Sequence, residues 1–212
     1  MKYKGIIFDL DGVLCSTDRF HFEAWKQTAE EVSAPFDETI NMKLRGVSRM
    51  ESLEIILSGS SKTFTDAEKE RLATEKNDRY RKLLAKMSPA DMPTAVRDAL
   101  TALHNTGLKL AVGSSSKNAA YILERLDANR YFDAVCDGTM IAHSKPDPEV
   151  FTKAAAMVGL APADCLVVED AAAGLEAARA GGMDCAIVGT APMPFEPTYH
   201  MQDVTKLPET IL

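Results

Sequence analysis

The 212-residue sequence lacks a CxxC pair, an apolar run long enough to span a bilayer, and any excess of positive charge. Its four cysteines, Cys15, Cys136, Cys165 and Cys185, are scattered. That spacing argues against a disulfide framework and a thiolate zinc site, and suits a reducing cytoplasm. Lys and Arg number 24 against 31 Asp and Glu, a formal charge of -7. Binding to a nucleic-acid backbone draws on the opposite balance, so no nucleic-acid partner is expected. A small anionic substrate is compatible with an acidic chain, because a few gathered cations act within a screening length of about 8 Å. The opening segment MKYKGIIFDLDG carries two lysines and a short apolar run, but Asp9 interrupts it before a secretory core forms. A cytoplasmic protein without a membrane partner is therefore expected.

What is present is an ordinary globular composition, 46% hydrophobic and 26% charged, with length for one substantial domain or a core plus a small second lobe. The short apolar runs GIIF (5–8), LKLAVG (108–113), CLVV (165–168) and CAIV (185–188) alternate with helix-periodic segments. Such alternation predicts an α/β fold with a parallel sheet covered by helices. Pro93 and Pro148 open helices that close on Gly107 and Gly159. Between residues 16 and 88 no strand-like run occurs, and the segment reads as an all-helical insertion. Ser48 with Glu51, and Thr65 with Glu68, are capping boxes that start two of its helices, the second reaching about Met87. APMPFEP (191–197) reads as a loop.

In an open parallel sheet, ligands bind where strands end. GIIF runs into Asp9-Leu10-Asp11-Gly12, LAVG into Ser114-Ser115-Ser116-Lys117-Asn118, and CLVV into Glu169-Asp170; His143-Ser144-Lys145-Pro146 precedes the Pro148 helix. Singly, each has a structural explanation: a turn at Asp11-Gly12, an N-cap in the serines for a helix starting near Lys117, a helix start at Glu169-Asp170, a surface lysine at 145. Jointly they favour a site. Carboxylates from different strands repel unless a cation lies between them, and hard oxygen donors suit magnesium. Magnesium, a lysine and hydroxyls around a carboxylate suit phosphoryl transfer, with a carboxylate able to serve as nucleophile.

FDLDGV (8–13), VGSSSKN (112–118), SKPDPE (144–149) and VVEDAAAG (167–174) resemble, in order, the four signature motifs of the haloacid dehalogenase superfamily. The resemblance implies a doubly wound parallel-sheet core over 1–15 and 89–212 with a helical cap over 16–88. Within the cap, Thr17, FHFEAW (20–25), RGVSR (45–49) and EKND (75–78) are similar to the sugar-phosphate mutases of that superfamily. By this resemblance Asp9 is the nucleophile and Asp11 the general acid/base, while Ser114 and Lys145 bind the phosphoryl group. Mg2+ is held by Asp9, the main-chain carbonyl of Asp11, Glu169 and Asp170. Thr17 and His21 fall among the catalytic positions, with His21 and Lys76 coupling substrate binding to closure. Arg45, Gly46, Val47 and Arg49 bind the non-reacting phosphate, and Ser116, Lys117 and Asn118 contact the substrate from the core. The implied reaction interconverts β-D-glucose 1-phosphate and D-glucose 6-phosphate via β-D-glucose 1,6-bisphosphate in a monomer, with sugar-phosphate hydrolysis of broader specificity as the alternative. A non-catalytic phosphometabolite sensor ranks lower, since Asp9, Asp11, Lys145 and Asp170 are all retained.

Overall fold

The computed structural model describes residues 2–44 and 47–212. The chain divides into two compact units, Met1–Ser16 with Met87–Leu212, and Thr17–Lys86. Helices α1 (Asp18–Glu31), α2 (Glu38–Met42), α3 (Arg49–Leu57) and α4 (Asp66–Leu84) lie in the second unit; α5 (Thr94–Asn105), α6 (Ala119–Arg125), α7 (Glu149–Met157), α8 (Ala172–Ala180) and α9 (Leu207–Ile211) lie in the first. Ser16, Met87 and Ser88, expected in the insertion, belong to the first unit. The physical tie is at Met87, whose carbonyl accepts from Arg125 Nε and Nη2 at 3.2 and 2.8 Å.

The first unit is a six-stranded sheet of β1 (Gly5–Phe8), β2 (Lys109–Gly113), β3 (Ala134–Cys136), β4 (Cys165–Glu169), β5 (Asp184–Val188) and β6 (Tyr199–Met201). Its order is β3-β2-β1-β4-β5-β6, and every pairing is parallel. The central strands are buried on both faces, which is why they read as continuous apolar runs. One face buries Ile7, Ala111, Val167 and Ile187 with Val150, Phe151 and Ala154 of α7 and Leu175 and Ala178 of α8. β3 and β6 have no counterpart among the expected strands. Each is three residues long and closes one edge of the sheet. Helices α5 and α7 start after Pro93 and Pro148, and the chain turns away at Gly107 and Gly159 with φ of +83° and +73°, values that glycine adopts without strain.

The helical unit has its own core of Trp25, Ala29, Val32, Leu44, Leu53, Ile56, Leu57, Leu72 and Ala73, with α1 packed on α4. Both capping boxes form: Ser48 and Glu51 exchange bonds of 2.8 and 3.3 Å, Thr65 and Glu68 of 2.7 and 3.4 Å. Helix α4 stops at Leu84, short of the expected Met87. Among the described residues no helix is long and apolar enough to cross a membrane.

Candidate active site

The sheet register sets the site. Phe8 of β1 stands opposite Val112 of β2 and Val168 of β4, so Asp9, the serines after β2, and Glu169-Asp170 emerge on one rim. That rim is the carboxyl end of the strands, and strand order reverses between β1 and β4, the place where open sheets bind ligands. Lys145 comes from the loop before α7; its ammonium donates to Asp9 Oδ1 at 2.5 Å and to Glu169 Oε1 at 2.6 Å. The peptide between Lys145 and Pro146 is cis. The other Glu169 oxygen accepts from the amides of Asp170 and Ala171 at 2.7 and 2.8 Å. Helix α8 therefore starts behind Ala171, with Glu169, rather than an N-cap side chain, receiving the preceding amides.

Asp11 lies where the chain folds back, with the Gly12 amide donating to the Cys15 carbonyl at 2.8 Å. Gly12 has φ of +86°, and a Cβ there would overlap the Asp170 carboxylate. Ser114 is buried, and its Oγ accepts from the Ser116 amide at 3.2 Å, as Ser116 Oγ does from the Asn118 amide. The serines thus stabilise the turn before the helix. Helix α6 begins at Ala119 with Asn118 as its cap residue, two residues later than the serines suggested. Asn118 is buried, Ser116 half-buried and Lys117 exposed.

Carboxylate oxygens of Asp9, Glu169 and Asp170 lie within 4.8 Å of one another. Asp11's carboxylate is not in that group. Burial, opposed by the Lys145 charge and reinforced by those of Glu169 and Asp11, pushes the Asp9 carboxyl up to about 7. Burial and the charges of Glu169, Asp9 and Asp11 push Asp170 up to about 8. Burial alone would lower Lys145, but the two facing carboxylates outweigh it and hold its ammonium above the ordinary range. One cation among so many carboxylates leaves excess negative charge, and an all-oxygen donor set of this kind fits a hard divalent cation.

This makes a pH prediction. Asp9 and Asp170 have folded-state values raised above their ordinary 3.8, so the stability they confer is present below that value and lost as pH rises through about 7 and 8. The metal-free protein is expected to lose on the order of 2 kcal/mol between pH 6 and 8. Millimolar Mg2+ should restore much of it at pH 8, with proton release. Thermal unfolding with and without chelator checks this; a metal-free protein equally stable at both pH values would contradict it.

Of the remaining expected residues, those described lie in the helical unit. Lys76 is buried on α4, with its ammonium 3.0 Å from His21 Nδ1 on α1. Arg49 opens α3 and donates to Asn77 Oδ1 at 2.8 Å, while Val47 precedes it, half-buried. Thr17 is buried and accepts from the Tyr80 hydroxyl at 2.8 Å. Arg45 and Gly46 lie outside the described residues.

Several positions inside or beside the motifs, to which the sequence reading gave no role of their own, hold the first cluster in place. Glu149, at the start of α7, accepts from the amides of Ala142 and His143 at 2.9 and 2.8 Å and from Lys153 at 2.6 Å. Lys153 also holds the Met140 carbonyl at 2.7 Å. The loop carrying Lys145 is thereby clamped to α7, and the i,i+4 spacing of Glu149 and Lys153 was the available signal. Phe151 lies 4.5 Å beneath the Lys145 ammonium, in space opened by Gly113, where a Cβ would come within 2.8 Å of the ring. Gly174 is required because a Cβ there would overlap the Glu169 carboxylate.

A doubly wound parallel sheet with a lysine-paired aspartate after its central strand, interrupted by a helical unit, defines a class of hydrolases with a Rossmann-like core. The chain belongs to the haloacid dehalogenase-like hydrolase family, whose model matches residues 3–182. It is 45% identical over 188 residues to a β-phosphoglucomutase of Bacillus subtilis, covering 88% of this chain and 83% of that protein. A phosphorylated carbohydrates phosphatase of Thermotoga maritima is 33% identical, with coverage of 85% and 82%. The crystal structure of a β-phosphoglucomutase from Clostridium difficile superposes with a TM-score of 0.90 at 32% identity, covering 97% of this chain and 93% of that one.

Proposed function

We propose that this enzyme is a β-phosphoglucomutase that interconverts β-D-glucose 1-phosphate and D-glucose 6-phosphate through β-D-glucose 1,6-bisphosphate, acting as a cytoplasmic monomer. The observation that carries phosphoryl transfer is the convergence of Asp9, Lys145, Glu169 and Asp170, in which a buried ammonium bonds both Asp9 and Glu169. The 45% identity to a β-phosphoglucomutase supports mutase chemistry over hydrolysis. The likeness to a carbohydrate phosphatase favours the second reading, a sugar-phosphate phosphatase of broader specificity.

In the proposed cycle the phosphorylated Asp9 donates its phosphoryl group to the O6 hydroxyl of β-glucose 1-phosphate, and Asp11 takes the hydroxyl proton. After the bisphosphate turns over, an Asp9 oxygen bonds to the phosphorus at C1 as the bond from phosphorus to O1 breaks. Asp11 returns its proton to O1, releasing glucose 6-phosphate. Asp9, Glu169, Asp170 and the Asp11 carbonyl would hold Mg2+, which when bound supplies neutralisation of charge on the phosphoryl oxygens. Lys145 and Ser114 bind that group; Ser116, Lys117 and Asn118 orient the sugar. Arg49, with Arg45 and the amides of Gly46 and Val47, grips the other phosphate, a task suited to a guanidinium fork. His21 and Lys76 couple binding to closure, and Thr17 is among the catalytic positions.

The deciding assay supplies β-glucose 1-phosphate with a trace of bisphosphate. Glucose 6-phosphate is the expected product; free phosphate from many sugar phosphates, without glucose 6-phosphate, would establish the phosphatase. For Arg49→Ala the mutase rate is expected to fall about 10–100-fold, the value of charge-assisted hydrogen bonds, while slow hydrolysis of the aspartyl-phosphate persists. Equal loss of both would remove Arg49 from the second phosphate site.

A further inference from the structure

Within the helical unit, one side chain touches three residues of the proposed mechanism. Tyr80, buried on α4 one turn after Lys76, donates its hydroxyl to Thr17 Oγ1 at 2.8 Å. Its ring lies against the His21 imidazole, with centroids 4.1 Å apart, and 4.7 Å from the Lys76 ammonium. Trp25, one turn after His21 on α1, covers the same ammonium at 4.3 Å. Lys76 is thus boxed by two aromatic faces, which attract an ammonium. An ammonium only donates, so at 3.0 Å His21 Nδ1 must accept and the proton resides on Nε2. The helix-capping hydroxyl of Thr17 makes no cap bond to α1; it is engaged by Tyr80.

Resting on the mutase reading, we infer that Tyr80 is a positioning residue that locks Thr17, His21 and Lys76 into one group and holds His21 as the neutral Nε2–H tautomer. Thr17 opens α1 at the boundary between the two units. Tyr80 therefore ties the beginning of that helix to the pair said to sense substrate. Among the described residues, the charged or titratable groups that face or act on His21 include Lys76 and Tyr80 on α4 and Arg49 on α3. Burial first, then the charges of Lys76 and Arg49, keeps the imidazole well below its ordinary 6.5. Loss of the Tyr80 ring admits water to this group and loosens its geometry.

The test compares wild type with Tyr80→Phe and Tyr80→Leu by two readouts: conversion of β-glucose 1-phosphate to glucose 6-phosphate, and long-range 1H–15N NMR of the histidine rings from pH 5 to 8. Tyr80→Leu is expected to lower kcat about 100-fold, the scale of misplaced catalytic geometry, with a smaller change in KM. Its His21 pKa should rise from the wild-type position toward the ordinary range, still held below it by the Lys76 and Arg49 charges, and the fixed tautomer should be lost. Tyr80→Phe keeps both ring contacts, so it should retain the tautomer and lose about fivefold in kcat for one hydrogen bond. If Tyr80→Leu does not fold, Tyr80→Met fills a similar volume without a π face and carries the same expectations. A folded ring-deleted variant with wild-type kcat and an unchanged His21 titration, whatever its melting temperature, overturns the inference. If wild type makes no glucose 6-phosphate, the mutase reading fails, and the NMR arm still decides whether Tyr80 sets the His21 tautomer.

Discussion

Asp9→Asn is expected to abolish turnover, by about 10^4-fold or more as for a lost nucleophile, in a protein that stays folded. An amide oxygen is too weak a nucleophile to displace at phosphorus, and no other described carboxylate shares the position after β1, where Lys145 reaches it at 2.5 Å. The fold should survive because Lys145 keeps its 2.6 Å bond to Glu169. Stability should depend on pH in a defined sense. In the wild type the Asp9 carboxyl is raised to about 7, so below pH 6 it is largely protonated and the neutral amide changes little. Above pH 8 the wild type carries an ionised Asp9 beside Glu169 and Asp170, and the variant, relieved of one charge, should be the more stable when metal-free. Exchange of a labelled phosphoryl group from the bisphosphate should mark wild type and leave the variant unlabelled. A variant that retains turnover or label would end the aspartyl-phosphate mechanism.

The rim of the sheet was legible because a parallel strand buried on both faces has a recognisable length and end. GIIF, LAVG and CLVV mark β1, β2 and β4, and the polar residues after them emerge at one level by register alone. β3 and β6 were not legible: AVC and YHM are three-residue edge strands, too short to show a period and paired on one side only. Lys145 was found through its motif, yet only tertiary structure shows its ammonium between Asp9 and Glu169.

The support around the functional groups was harder to read than the groups themselves. Gly174 looks like an ordinary helix residue until the Glu169 carboxylate is seen against its α-carbon. Tyr80 and Trp25 are conventional core aromatics by burial, and their relation to Lys76 spans helices whose pairing no local spacing reveals. The i,i+4 steps from His21 to Trp25 and from Lys76 to Tyr80 put each pair on one helix face, but do not bring the two faces together.

Lys145→Ala should be the most destabilising single change at the site as well as an inactivating one. Lys145 and Glu169 are almost wholly buried, with side-chain exposures of 4% and 2%, and Asp9 is close behind at 10%. Removing one partner of a buried ion pair leaves an uncompensated charge, at a cost of about 3–5 kcal/mol. The pH dependence separates this from a simple cavity effect. Lys145 is held above its ordinary 10.5, so its contribution is complete below that value and would be lost only in strong alkali. The carboxylates it leaves behind bind protons more tightly without it, and protonation relieves them. The deficit relative to wild type should therefore be small near pH 5 and grow as pH rises through 7, whereas a cavity would cost the same throughout. Denaturant unfolding of the metal-free proteins at pH 5, 7 and 9 measures it. Lys145→Met, which fills the space over Phe151 without the charge, should reproduce the pH-dependent deficit; if it matches wild type at pH 9, the ion pair does not stabilise this rim.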